Sequence, residues 1–384
     1  MTDLARRALL PAGFADLLPP EAGHESAVIE RLMALVGAHG YARVQPPLVE
    51  FETSLLEGSG AAMTPHSFRL MDPLSQRMLA LRADMTLQVA RIAAVRLASA
   101  PRPLRLSYAG QVVRVRGDAL RSARQFGQIG CELIGAGEGD ADVEVVRLAA
   151  DSLQAIGVAR LSVDLSSPEL AAAIVDDAGL DTAARARLRE ALDRKDAAAV
   201  ARHGGAAAST LAALLAASGP APAALAAAVQ LPLPAASRAA CERLGAVARA
   251  LEKANPGLNV TVDLIENRGF EYHTGLCFTL FATGLRGELG RGGRYLAGGD
   301  FAARAEPATG FTLYADTILR ALPEPAAPRR VYVPRERAED AARLREGGWI
   351  TVAGLAPAAD PRAEARRLGC THALPPGASE PVEA

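Results

Sequence analysis

Polar side chains crowd the ends of several strand-like segments, and they are the residues whose types and spacing could do chemistry. In Leu81-Arg82-Ala83-Asp84-Met85-Thr86, a carboxylate and a hydroxyl stand at a helix start. They either meet a ligand or simply cap the helix and satisfy its free N–H groups. Gln128, Gly130 and Glu132 recur at period two, which sets them on one strand face with Ile129 and Cys131 on the other. A solvated sheet face would account for Gln and Glu equally well. Asn267-Arg268-Gly269-Phe270-Glu271-Tyr272-His273 brings a guanidinium, a phenol and an imidazole together, a denser cluster than a structural histidine requires. Gly290-Arg291-Gly292-Gly293-Arg294-Tyr295 reads as a tight turn. A phosphate loop is weakly supported there, since the Walker Lys is missing.

These residues need elements to position them. Glu21 to His39 carries Val28, Ile29, Leu32, Leu35 and Val36 on one stripe and ends against Gly37 and Gly40, which predicts an amphipathic helix. Phe68 to Met71 and Met78 to Leu81 flank Asp72-Pro73 as two short strands, and a helix from Asp84 runs through Arg91 to Leu97. Leu104 to Val113 and Gln125 to Ile134 form a long antiparallel hairpin whose loop carries Arg114, Arg116, Arg121 and Arg124. A helix over Asp140 to Ile156 and a strand over Leu161 to Leu165 follow. From Pro168 to Ala254 the chain is Ala- and Leu-rich without a strand signal, an all-helical insertion. Strands resume at Asn259 to Ile265 and Leu276 to Phe281, a Gly-rich turn spans Gly284 to Gly299, and Thr309 to Tyr314 leads into a short helix. Past the linker from Pro323 to Pro328 lies a small α/β tail. The expected division is 1–166 and 258–322 for one split core, 167–257 for the insertion and 323–384 for the tail.

With half of its 384 residues hydrophobic, the chain can bury a large core and a smaller second one. A net charge of -1 lacks the positive field that a phosphate backbone rewards, so nucleic acid is not an expected partner. Cys131, Cys241, Cys277 and Cys370 lie far apart, which speaks against a zinc site or a disulfide framework and for reduced thiols in cytoplasm. Pro11, Gly13, Asp16, Pro19 and Pro20 near the start do not fit a signal peptide, and no apolar run approaches the length of a membrane span. No metal or cofactor is expected.

In this order and spacing, the polar clusters resemble the catalytic core of class II histidyl-tRNA synthetases, over roughly Phe14 to Leu322. Tyr41-Ala42-Arg43-Val44-Gln45-Pro46-Pro47-Leu48-Val49-Glu50 is similar to the family's dimerising first motif and Leu81 to Thr86 to its LRPEGT segment. The hairpin is similar to motif 2, Arg268 to His273 to the histidine-binding RGLDYY motif, Gly292 to Tyr295 to GGRY, and Gly310-Phe311 to the start of motif 3. The resemblance implies an α+β fold: an antiparallel sheet flanked by helices, a helical insertion and a short α/β C-terminal tail. It also implies a histidine pocket. Asp84 and Gln128 would face the α-amino group and Glu132 the imidazole, Arg114 and Arg268 would take the carboxylate, and Tyr272 and Tyr295 would wall the ring, with Thr86 and His273 as further residues of the pocket. A zwitterion needs this pairing of carboxylate and guanidinium, and an imidazole N–H needs an orienting acceptor.

The departures from the synthetase pattern set the expected function. Arg116 stands where motif 2 has a Glu that helps hold ATP, and Thr317 stands where motif 3 has the Arg over the γ-phosphate. Adenylation depends mainly on oriented charge at the phosphates, so both changes disable it. His273 replaces a second Tyr, Asp84 is one methylene shorter than Glu, and the tail is too short for a complete anticodon-binding domain. A histidine pocket without ATP chemistry resembles the regulatory subunit family of ATP phosphoribosyltransferase. That resemblance implies a non-catalytic, cytoplasmic protein of histidine biosynthesis that forms a homodimer, joins and activates a short-form catalytic subunit, and senses histidine as effector. The alternatives are a divergent histidyl-tRNA synthetase and a stand-alone amino-acid-binding module.

Overall fold

A computed structural model of the chain describes residues 9–56, 58–117, 121–137, 139–266, 273–298, 301, 305–325 and 327–384. The apolar stripe predicted near the start forms α1 (Glu21–Ala38), which buries Val28, Leu32, Met33 and Val36. There follow β1 (Ala42–Arg43), β2 (Val49–Phe51), α2 (Glu52–Leu56), β3 (Arg69–Met71), β4 (Met78–Leu81) and α3 (Thr86–Arg91), the last continued by a π-turn over Ile92–Arg96. The predicted hairpin is β5 (Leu104–Val113) and β6 (Gln125–Ile134), paired in unbroken antiparallel register. After α4 (Gly139–Ala155) and β7 (Leu161–Ser166), the chain makes α5 (Pro168–Asp177), α6 (Thr182–Asp193), α7 (Ala197–His203) and α8 (Ala208–Ala217). Next come β8 (Gly219–Pro220), α9 (Ala221–Val229), α10 (Ala235–Ala254), β9 (Asn259–Asp263), β10 (His273–Ala282), β11 (Gly290–Ala297), β12 (Glu306–Tyr314) and α11 (Ala315–Ala321).

Among the described residues the main sheet has nine strands in the order β1-β5-β6-β12-β11-β10-β7-β9-β8. Its central pairs are antiparallel, while β1 with β5 and β7 with β9 are parallel, as their longer connections allow. One face is sealed by α1, α4 and the helical segment: Ile129, Cys131 and Leu133 of β6 point into the same core as Leu32, Val145, Leu170 and Leu244. The opposite face carries Tyr108, Phe126, Tyr295 and Tyr314 and is covered in part by Met85, Val89 and Ala93 at and along α3. This is the alternation expected of β6, made into two layers. The fold is an α+β synthetase-like core.

Two elements differ from expectation. Gly290 to Tyr295 is not a turn but the body of β11, because Gly292 and Gly293 let strands approach closely: a Cβ at Gly293 would lie 2.6 Å from the Leu276 carbonyl oxygen. The helical segment contains the two-residue strand β8, which extends the sheet beyond β9. That segment shares one core with the sheet, so compact units divide only at Met1–Pro323 and Glu324–Ala384. The second unit holds β13 (Arg330–Val333), α12 (Asp340–Glu346), β14 (Ile350–Ala353), α13 (Pro361–Arg367), β15 (His372–Ala373) and β16 (Val382–Glu383). Its sheet runs β14-β13-β15-β16. No helix among the described residues is long and apolar enough to cross a membrane, and all four cysteines are free and buried.

Candidate functional site

The open face of the central strands builds the site row by row. Register places Tyr108 of β5 opposite Gly130 of β6, and Gly130 opposite Thr312 of β12. Because Gly130 has no side chain, the Tyr108 ring lies across β6 and reaches β12; a Cβ at Gly130 would stand 2.5 Å from the phenol oxygen. In the neighbouring row Glu132 opposes Gly310, where a Cβ would collide with the Glu132 carboxylate. Glycine at 310 therefore leaves the space in which that carboxylate lies.

Glu132 is 1% exposed, and its two oxygens accept from the Tyr108 hydroxyl at 3.0 Å and the Tyr295 hydroxyl at 2.9 Å. Burial pushes its carboxyl up to about 8 although both tyrosines pull it down, and the nearby Asp84 charge adds to the rise. An uncharged acid thus predominates at neutral pH, and a ligand bringing an N–H or a positive charge would favour the ionised form. Both oxygens of Asp84 are engaged within the protein. One oxygen accepts the Thr86 N–H at 2.8 Å as a cap, and the other accepts from the Gln128 side-chain amide at 2.8 Å. Gln128 is fixed in turn: its carbonyl accepts the Met85 N–H at 3.0 Å and its amide also donates to Thr312 at 3.2 Å. Thr86 and Thr312 both meet the Tyr108 hydroxyl, at 3.1 and 3.2 Å.

Asp84, Thr86, Glu132, His273, Tyr295 and Thr312 line one cleft of about 30 Å³, room for roughly a single water. Arg291, on a wall of this cleft, is ion-paired with Glu288 at 2.7 Å. Gln128 supports the cleft through its bonds to Asp84 and Thr312. Arg114 stands apart, its guanidinium 5.1 Å over the Phe126 ring and its Nε donating to the Ala83 carbonyl at 3.3 Å. Arg268 and Tyr272 lie outside the described residues. A larger cavity, about 610 Å³, lies among α9, α10 and β9, but its lining is mainly Ala, Leu, Val and Pro with charges only at exposed positions of α10. Convergent polar groups, rather than volume, mark the small cleft as the candidate site.

Beside it, an arginine packs against Tyr314 and Thr317. The Arg121 guanidinium sits 3.9 Å over Tyr314 and 4.6 Å from Phe126, with its Nε on Asp316 at 2.9 Å and an Nη on Thr317 at 3.2 Å. Arg121 is 8% exposed and Thr317 1%. Arg116 is exposed. Among the described residues no group of His, Cys, Asp and Glu side chains could hold a metal ion. Tyr108 and Thr312 are site residues that motif reading passes over, while Gly310 stood out only as the start of motif 3 and Arg121 only as one of four loop arginines.

The family model described as histidyl-tRNA synthetase matches residues 13–318. The chain is 53% identical to an ATP phosphoribosyltransferase regulatory subunit of Paramagnetospirillum magneticum, over 100% of each chain. It is 55% identical to a protein of the same description in Rhodospirillum centenum, over 95% of this chain and 94% of that one. A solved structure from Bacillus halodurans, described as an ATP phosphoribosyltransferase regulatory subunit/histidyl-tRNA synthetase, superimposes with a TM-score of 0.81 at 26% identity, covering 94% of this chain and 96% of the other.

Proposed function

The chain belongs to the ATP phosphoribosyltransferase regulatory subunits, built on the histidyl-tRNA synthetase fold, and from that premise we propose that it activates a short-form catalytic subunit and reports histidine to it. The chain itself is non-catalytic and serves histidine biosynthesis. One contrast carries the finer reading: the polar cleft around Glu132 is intact, while Arg121 occupies the adjoining nucleotide region. In this reading histidine enters the cleft with its amine toward Asp84 and its imidazole toward Glu132, and Arg268 takes its carboxylate. The cleft must widen beyond its present volume to admit it. The widening supplies the conformational difference through which a ligand biases the assembly, since histidine can shift only a state that it binds better. A coupling of ~1–3 kcal/mol suffices. Self-association through the synthetase-like core and a cytoplasmic setting belong to the same reading, and the free thiols support the latter.

The test is to mix this chain with a short-form ATP phosphoribosyltransferase of the same organism. An interface of roughly 1,200–2,000 Å² should survive gel filtration as a shared peak. The expected result is faster phosphoribosyl transfer that histidine reverses, with Glu132→Ala abolishing the reversal. Separate elution and an unchanged rate at micromolar concentrations would refute activation.

A further inference from the structure

Six side chains form one continuous chain of hydrogen bonds in which a single phenol links the arm through Gln128 and Thr312 to Glu132, while Thr86 also meets Glu132 directly. Gln128 donates to Asp84 and to Thr312, Thr312 meets Tyr108, Tyr108 meets Glu132, and Tyr295 closes the chain on the other Glu132 oxygen. Thr86 joins at the same phenol. Tyr108 is completely buried, and its oxygen has three partners for one proton. When Glu132 is ionised, that proton points at Glu132, and the Thr312 hydroxyl, which accepts from Gln128, points at Tyr108. When Glu132 is protonated toward Tyr108, the phenol must turn its own proton to a threonine, and the order reverses. Bonds that polarise one another in this way act as a unit in a dry interior.

We propose that Tyr108 is the positioning residue that joins the two ends of the cleft, so that Asp84 and Glu132 respond to a ligand together. Its consequence is specificity for a ligand carrying both a cationic amine and a second nitrogen-bound proton. This rests on the reading that the cleft takes histidine. Glu132 is faced by Tyr108 from β5, Tyr295 from β11, and Asp84 and Thr86 from the start of α3; His273 of β10 and Arg291 of β11 line the same cleft.

The first measurement needs no ligand. Thr312→Val removes a hydroxyl that bonds Tyr108 and Gln128 but not Glu132, and combining it with Tyr108→Phe isolates the influence that runs through the phenol. The Glu132 carboxyl is followed by carbon NMR on glutamate-labelled protein, with Glu132→Gln identifying the signal. The expected outcome is that Thr312→Val raises the Glu132 midpoint, and that the shift vanishes when Tyr108→Phe is also present. No shift in the otherwise intact chain overturns the proposal, whether or not Tyr108→Phe folds; so does an equal shift with and without the phenol. The second measurement compares calorimetric titrations with histidine and with imidazolepropionate, which lacks the amine. Tyr108→Phe should shrink the preference for histidine by about tenfold, a size usual for directly coupled groups; an unchanged preference overturns the specificity claim. If the unaltered chain binds no histidine, the reading of the cleft as a histidine site fails, while the carboxyl shift still decides the role of Tyr108.

Discussion

Two neighbouring regions on the same sheet face have been treated in opposite ways. Around Glu132, glycines at 130 and 310 leave space, and the side chains above them, Tyr108 and Tyr295, aim hydroxyls at one carboxylate. Around Tyr314, an internal arginine fills the space and is satisfied by Asp316, Thr317 and two aromatic rings. The first region has polar groups that can exchange partners for a ligand. The second pairs Arg121 with Asp316 and Thr317.

Glu132→Ala should break the comparison most completely. It removes the acceptor shared by two buried phenols and should weaken histidine binding by on the order of 2–5 kcal/mol, measured by calorimetry. Unaltered affinity would show that the cleft is not the histidine site. Arg121→Ala attacks the other region. It deprives Asp316 of its ion pair and the Tyr314 ring of its cation, and should cost about 1–3 kcal/mol in denaturant unfolding. Pyrophosphate exchange with ATP should still be absent, because emptying the region restores no cation over a γ-phosphate. Turnover by the purified variant would contradict this.

A finer distinction comes from pH. The Glu132 carboxyl titrates at about 8 in the folded chain against an ordinary value of 4.5, so between those values the folded chain holds a proton that the unfolded chain has released. Its contribution to stability is complete below about 4.5 and is lost as pH rises toward 8, with a slope of at most ~1.4 kcal/mol per unit. Glu132→Gln cannot titrate and should flatten that part of the profile in unfolding curves taken at pH 5 and pH 8. Parallel profiles for the two proteins would place the carboxyl outside this range. The smallest effect belongs to Arg116→Glu, which restores the synthetase residue type at an exposed position. Stability should change by less than about 0.5 kcal/mol, and ATP exchange should not appear, since Arg121 still fills the region.

Much of the scaffold was legible because period and punctuation are local. The stripe of α1 and the limits of β5 and β6 follow from apolar spacing and turn residues. Period two along β6 also put Gln128 and Glu132 on one face. What the sequence hid is what depends on partners far along the chain. Arg121 meets Asp316 and Thr317 nearly two hundred positions away, and an Arg-rich loop offers no sign of which arginine will turn inward. The glycine run at 290–293 looked like a turn because glycine marks both turns and close strand contacts, and only the neighbouring strands decide between them. Asp84 was ambiguous between cap and ligand group, and its oxygens accept from the Thr86 N–H and the Gln128 amide.

The glycine floor of the cleft has a consequence for any change of ligand. A surface without side chains has nothing left to remove: mutation at Gly130 or Gly310 can only intrude, into the Tyr108 ring or the Glu132 carboxylate. New ligand shapes, in descendants or in a designed library, must therefore be written into the walls at Thr86, His273 and Tyr295. Randomising the floor would spend diversity on variants that close the cleft.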